Sequence, residues 1–187
     1  MTTQRHTTLL EGRLLSWLLV LLACQPKEDS LPEGPKKFVD LVTPLAWQPV
    51  PAARDPLAHE RPAEVECPLG IGYRHEDNGF DIQTGPCNYG MFSQRTLAPV
   101  LRGAKLKLLV YHFDLVAREP AQAHAAVLLG EHVLWERMVD IPGKANAYNI
   151  EFVSDFSAPA DTPIFFHVHN HGQNSWTFGS AEVQVPR

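Results

Sequence analysis

Short apolar runs separated by turn residues extend from about residue 63 to residue 187, and they constrain the fold more than any other feature of the sequence. Each run has the length of a β-strand, and Gly, Pro, Asn and Asp interrupt the chain between the runs. Helical periodicity in this part never exceeds two turns. The sequence therefore predicts an all-β fold, an antiparallel β-sandwich spanning residues 63–187.

The predicted strands are spaced as in a two-sheet domain. About 125 residues is an ordinary size for one such domain. Gly130-Glu131 and Pro142-Gly143 are turn pairs that mark strand ends. We predict seven strands, at 96–101, 105–115, 123–129, 132–141, 148–153, 164–170 and 175–185.

Proline dominates the segment before this domain. Residues 24–62 contain eight of the 16 prolines in the chain. Proline removes a backbone donor and fixes φ, so it disfavours helices and central strands. We therefore expect a partly extended, Pro-rich tether over 24–62, although residues 38–47 are apolar enough to pack against the domain.

The first residues have the pattern of an export signal. Arg5 and Arg13 precede an apolar run at 14–23 that is too short to span a bilayer. The sequence Leu21-Leu22-Ala23-Cys24 resembles the lipobox of bacterial lipoproteins. The resemblance implies a signal peptide at 1–23, cleavage before Cys24 and lipid on that cysteine. The alternative is a cleaved secretory signal followed by an unmodified cysteine.

The lipobox resemblance also implies a location. Acyl chains on Cys24 would attach the chain to a membrane of the cell envelope, since two or more chains give stable anchoring. Gln25 follows the cysteine in place of the Asp that retains some lipoproteins in the inner membrane. We therefore expect the outer membrane.

Charge argues against one class of partner. The chain has 16 basic and 21 acidic side chains and a formal charge of −5. Nucleic acid is bound mainly through clustered Lys and Arg, which this composition does not favour. We expect no nucleic-acid partner.

Two cysteines remain if Cys24 carries lipid. Cys67 and Cys87 would be exported to a compartment where disulfides persist, so we expect them to pair. The alternative is that both are zinc thiolates, but neither lies in a CxxC motif.

The C-terminal part of the domain has a shape known from other β-sandwiches. An apolar strand leads into His169-Asn170-His171-Gly172, and Asn174-Ser175-Trp176 begins a last alternating strand. This pattern loosely resembles jelly-roll domains of the galactose-binding-like type. The resemblance implies a binding module for carbohydrate or another envelope polymer, with a ligand face built from His167, His169, Asn170, His171, Asn174 and Trp176. Trp176 could instead pack in the core.

Histidines alternate along the strand predicted at 164–170. Ile164, Phe166 and Val168 fall on one face, while His167 and His169 fall on the other. Two imidazoles at this spacing can bind one zinc or copper ion if a third ligand completes the set. His112 and His124 are the candidates for that ligand. The alternative is that all four are structural or surface histidines without a cofactor.

Catalytic motifs are missing from the sequence. The chain has no GxSxG elbow, no HExxH and no phosphate-binding glycine loop. We therefore expect a non-enzymatic protein. Three functions stay open: a carbohydrate-binding lipoprotein, a transition-metal-binding protein, and a structural or assembly lipoprotein without a small-molecule ligand.

Overall fold

A computed structural model of the chain describes residues 30–187. The expected signal peptide and Cys24 lie outside this range, so their roles stay predictions. Among residues 30–187, no helix combines the length and the apolar character that crossing a membrane would require.

The described chain consists of β-strands with two short 3₁₀ turns, at Pro44–Ala46 and Ala52–Arg54. Antiparallel pairing joins the strands. In chain order the strands are β1 (Lys36–Asp40), β2 (Gln48–Pro49), β3 (Tyr73–Glu76), β4 (Gly79–Gln83), β5 (Tyr89–Arg95), β6 (Lys105–His112), β7 (Ala121–Leu129), β8 (His132–Ile141), β9 (Asn146–Val153), β10 (Pro163–Asn170) and β11 (Ser175–Pro186).

Two sheets enclose one core. The first sheet has the order β3-β4-β11-β6-β9, with β1 also paired to β11. The second has the order β2-β5-β10-β7-β8. Because side chains alternate along each strand, one face of each sheet contributes to the core and the other face is directed outward. The predicted antiparallel β-sandwich is confirmed.

Aromatic rings fill the space between the sheets. Trp47 lies 4.9 Å from Phe178 of the first sheet and 6.3 Å from Phe166 of the second, measured between ring centroids. Phe80 and Phe92 pack beside it with centroids 4.8 Å apart. Tilted and edge-to-face pairs at these distances are favourable beyond the area they bury.

The segment 30–62 differs from the expected tether. Its β1 pairs with β11, its β2 pairs with β5, and Leu41 and Trp47 are completely buried. Proline is compatible with this arrangement because the strands are short and lie at sheet edges, and Pro49 is in the two-residue β2. In the described residues, therefore, the Pro-rich segment is part of the sandwich and not a spacer.

Six predicted strands are present with small shifts at their ends, but the strand predicted at 96–101 is wrong. The backbone amides there bond to unrelated partners, Thr96 to Thr162 and Leu97 to Leu41, and Pro99 interrupts any ladder. Prediction also missed β3, β4 and β5. The predicted disulfide between Cys67 and Cys87 is confirmed.

Candidate functional site

Two rows of side chains cross the outer face of the second sheet. Core positions Ile164, Phe166 and Val168 of β10 are buried, which directs the intervening residues outward. Strand register places one outward residue from each of β5, β10, β7 and β8 in each row. The rows are Tyr89, His169, His124 and Met138, and then Met91, His167, Ala126 and Glu136.

A turn at residues 55–61 covers part of this face. Buried Asp55 holds the turn, since its carboxylate accepts hydrogen bonds from Arg61 Nη1 at 2.8 Å, from the Tyr89 hydroxyl at 2.9 Å and from the Leu57 amide at 2.8 Å. The aspartate and the arginine also form a salt bridge. This network fixes the backbone on either side of Glu60.

Glu60 meets two histidines on the sheet. Its Oε2 lies 2.5 Å from Nδ1 of His124 and 3.5 Å from Nε2 of His167. The three ligand atoms lie within 4.8 Å of one another. A carboxylate from the turn and imidazoles from β7 and β10 thus converge on one point, which we call the Glu60 cluster.

The second nitrogen of each imidazole is held by an acceptor outside the cluster. Nδ1 of His167 donates to the carbonyl oxygen of Gly90 at 3.0 Å, and Nε2 of His124 lies 2.9 Å from Oε1 of Glu136. These contacts fix both rings so that the remaining nitrogens are directed toward Glu60.

His167 is a neutral imidazole with an unused nitrogen. Burial, followed by the charge of His124, lowers the pKa of His167 to about 3. Because the ring proton is on Nδ1, which donates a hydrogen bond to the Gly90 carbonyl, Nε2 presents a lone pair. Within the described part of the chain, this fully buried Nε2 has no hydrogen-bond partner.

An open cleft of about 740 Å³ lies beside the Glu60 cluster on the same face. His169 and His171 stand at one side of it with ring centroids 4.6 Å apart. Burial, and next the charge of His171, lowers the pKa of His169. The cleft is lined by Glu60, Gln122, His124, Glu136, Arg137, Met138, His169 and His171.

His112 does not join the other predicted metal ligands. It lies at the end of β6 in the first sheet, is buried, and packs 4.4 Å from the ring of Trp176. Its Nε2 lies 3.3 Å from the Tyr148 hydroxyl. The structure therefore does not bring His112 to the other three histidines, because its strand belongs to the opposite sheet. His124 and His167 do come together. His169 lies two residues further along β10, beside the open cleft.

The six residues of the predicted ligand face do not form one surface. Trp176 is completely buried and donates from Nε1 to Oδ1 of buried Asn170 at 3.4 Å, so both point into the sandwich. Trp176 therefore offers no exposed ring for stacking. Asn174 donates to the Asp114 carbonyl at 2.7 Å, at the junction that leads into β11. Only His167, His169 and His171 belong to the outer face with the cleft.

Sequence reasoning missed Glu60 and Glu136. Glu60 lies in a Pro- and Ala-rich stretch with no periodic pattern, so no local signal could have placed it. Glu136 lies on β8 opposite Ala126 of β7, which is two residues from His124, so the pairing of these two strands was the signal that could have placed it near His124.

No known protein-family model matches the chain, and no curated protein is similar to it in sequence. Solved structures do show a general likeness. A xylan-binding module of family 15 is 8% identical, with 82% of this chain and 99% of that one covered and a TM-score of 0.44. A family 29 carbohydrate-binding module complexed with cellulohexaose is 13% identical, with 81% and 93% covered and a TM-score of 0.40.

An arabinose-bound α-L-arabinofuranosidase is also similar, with 13% identity and a TM-score of 0.39. The match covers 78% of this chain, but the chain spans only 24% of that enzyme. Likeness at this level does not extend to ligand or activity.

Proposed function

We propose that this chain is a non-catalytic binding module of the bacterial envelope, held on the outer membrane by lipid on Cys24, and that it binds carbohydrate in the cleft of the second sheet. The observation that carries the proposal is the composition of that cleft. Its walls present amide, carboxylate, guanidinium and imidazole groups around an open space of about 740 Å³. Sites of this size accommodate small ligands or short stretches of a polymer.

The polar groups suit hydroxyl-rich ligands. A sugar hydroxyl both donates and accepts hydrogen bonds, and the cleft lining offers acceptors such as Glu136 and donors such as Arg137. Met138, which is 58% exposed, supplies an apolar contact for the C–H groups of a sugar ring. Both signs of charge line the cleft, which does not favour a polyphosphate or a polyanion.

A glycan array tests this proposal. The full chain should bind at least one class among β-linked glucans, xylans and envelope polysaccharides. Gln122→Ala should reduce that binding because Gln122 is exposed on the cleft wall. The matched control is Asn149→Ala, an exposed amide on β9 of the opposite sheet, and it should leave binding unchanged.

Two results would contradict the proposal. One is an array without any signal above that of a denatured sample. The other is binding that survives Gln122→Ala and fails in Asn149→Ala, since that would place the ligand on the wrong sheet.

A further inference from the structure

We infer that Glu60, His124 and His167 bind a single divalent transition-metal ion, with Zn²⁺ the ion expected. The inference goes beyond the proposed carbohydrate binding and does not depend on it. The three ligand atoms come from separate segments, the turn at 55–61, β7 and β10, and lie within 4.8 Å of one another.

The first support is a pair of acceptors that face each other. Nε2 of His167 and Oε2 of Glu60 are 3.5 Å apart. The ring proton of His167 is on the other nitrogen, Nδ1, which donates a hydrogen bond to the carbonyl oxygen of Gly90. Neither atom has a proton for the other. Oε2 of Glu60 also contacts Nδ1 of His124, but the buried Nε2 of His167 has no hydrogen-bond partner among the described residues. Burying an unpaired acceptor is costly, and a cation bound to both atoms would satisfy it.

The second support is the outer contact of each imidazole. Metal-bound histidines commonly donate their other ring nitrogen to a backbone carbonyl or a carboxylate, which fixes the tautomer and orients the ring. His167 has this contact with the Gly90 carbonyl, and His124 has it with Glu136. Both rings are thus oriented as ligands.

The third support is the preorganised carboxylate. Asp55 bonds to Arg61, Tyr89 and the Leu57 amide, so the turn carrying Glu60 is held against the sheet by buried polar contacts. A glutamate on a mobile loop would lose more entropy when it bound an ion. Here that entropy is already lost on folding.

The donor set selects the metal. Two imidazole nitrogens and one carboxylate oxygen suit Zn²⁺ and its transition-metal neighbours, whereas Ca²⁺ and Mg²⁺ prefer oxygen ligands throughout. Ligands bound at about 2.0–2.1 Å are ~3.3 Å apart in a tetrahedral site. The 3.5 Å between Glu60 and His167 is close to this value, whereas the 2.5 Å contact between Glu60 and His124 would lengthen and the widest separation, at most 4.8 Å, would shorten. With three protein ligands, a tetrahedral ion would keep a fourth coordination position for water or another ligand. That position would open toward the cleft, because Glu60 and His124 also line the cleft.

Zinc titration tests the site. The full chain, purified in detergent and stripped with a chelator, is titrated with Zn²⁺ by calorimetry, and one ion per chain should bind. His167→Gln and Glu60→Gln each remove a ligand, so affinity should fall by more than the ~100-fold that changes outside the ligand shell cause. Glu136→Gln alters an outer contact and should weaken binding by about 10-fold.

His169→Gln is the matched control, because His169 lies on the same strand and the same face two residues away. It should bind Zn²⁺ as the unaltered chain does. Circular dichroism of each stripped variant verifies folding. If His167→Gln does not fold, the Glu60→Gln variant, altered in the turn, carries the test.

The inference would be overturned by absence of a Zn²⁺ site in the unaltered chain. It would equally be overturned if His169→Gln abolished binding while His167→Gln and Glu60→Gln kept it, because His169 and His171 at the side of the cleft would then be the ligands. Glycan binding by chelated protein is measured separately, so that failure of one proposal is distinguishable from failure of the other.

Discussion

The hydroxyl of Tyr89 connects the sheet to the turn that carries Glu60. It is a buried group that donates to Asp55, whose carboxylate is paired with Arg61. A buried carboxylate depends on its donors, since an unsatisfied charged group costs more than an ordinary hydrogen bond contributes. At the scale of single residues, the candidate site therefore depends on a phenol that is not itself one of the proposed metal ligands.

Replacing Tyr89 with Phe should destabilise the chain. The change leaves the ring packing in place but removes one donor from Asp55, and we expect a loss of about 1–3 kcal/mol in the free energy of unfolding. Urea denaturation measures it. Tyr111→Phe, on the half-buried β6 position of the opposite sheet, is the control and should lie within ~0.5 kcal/mol of the unaltered chain. Equal losses in the two variants would contradict this role.

The same phenol predicts a loss of stability at alkaline pH. Burial, followed by the hydrogen bond to Asp55, raises the pKa of Tyr89 above the usual range for tyrosine. The unfolded chain releases this proton near pH 10 while the folded chain retains it. The free energy of unfolding should therefore fall as pH rises above about 10, and Tyr89→Phe should reduce the slope. Phenolate absorbance should show that Tyr89 ionises only on unfolding, a step that Tyr89→Phe removes.

At the scale of elements, alternation placed the residues of β10 correctly. Ile164, Phe166 and Val168 were predicted to share one face of the strand, and that face is buried in the core, so His167 and His169 are on the other face as expected. Alternation is a local property that a sequence displays directly. It could not show that a turn would cover His167 and leave His169 beside the open cleft.

Contacts between distant segments explain what prediction missed. Glu60 reaches the sheet because Asp55 bonds to Tyr89, a residue 34 positions away. The strands β3 and β4 are only four and five residues long, too short to separate clearly from the turns around them. Trp47 was the available signal in the Pro-rich segment, since a large aromatic residue is usually buried at least in part.

Trp47→Ala should be among the most damaging changes in the domain. The side chain is completely buried between the two sheets, and truncating a buried aromatic costs about 3–5 kcal/mol. Leu45→Ala, two residues earlier and 62% exposed, should shift stability by less than ~0.5 kcal/mol. The midpoints of urea denaturation compare the stability of the two variants. Similar midpoints would mean that the Pro-rich segment is not part of the folded core.

At the scale of the whole molecule, the Pro-rich segment changes how the domain would stand on a membrane. The described chain begins at Ser30, which already bridges to Arg102 of the domain. Six residue steps separate Cys24 from Ser30, and a fully extended chain covers about 20 Å in that length. A lipid on Cys24 would therefore hold the sandwich close to the bilayer, and not at the end of a forty-residue spacer.

The anchor itself is tested by Cys24→Ser. Without its thiol the chain cannot accept the diacylglycerol that the lipobox resemblance implies, so it should move from the membrane fraction to the soluble fraction. Cys67→Ser, which removes a cysteine of the disulfide, is the control and should stay with the membrane. Immunoblots of separated fractions measure the distribution. Continued membrane association of Cys24→Ser would contradict the anchor.

Histidine resonances test whether the cleft of the second sheet binds carbohydrate, as we propose. The chain is titrated with a glycan identified on the array while imidazole signals are followed by NMR. We predict shifts at His169 and His171, which line the cleft, and none at buried His112 of the opposite sheet or at His132, which stacks on Phe156 away from the cleft. Shifts confined to His112 or His132 would contradict the account.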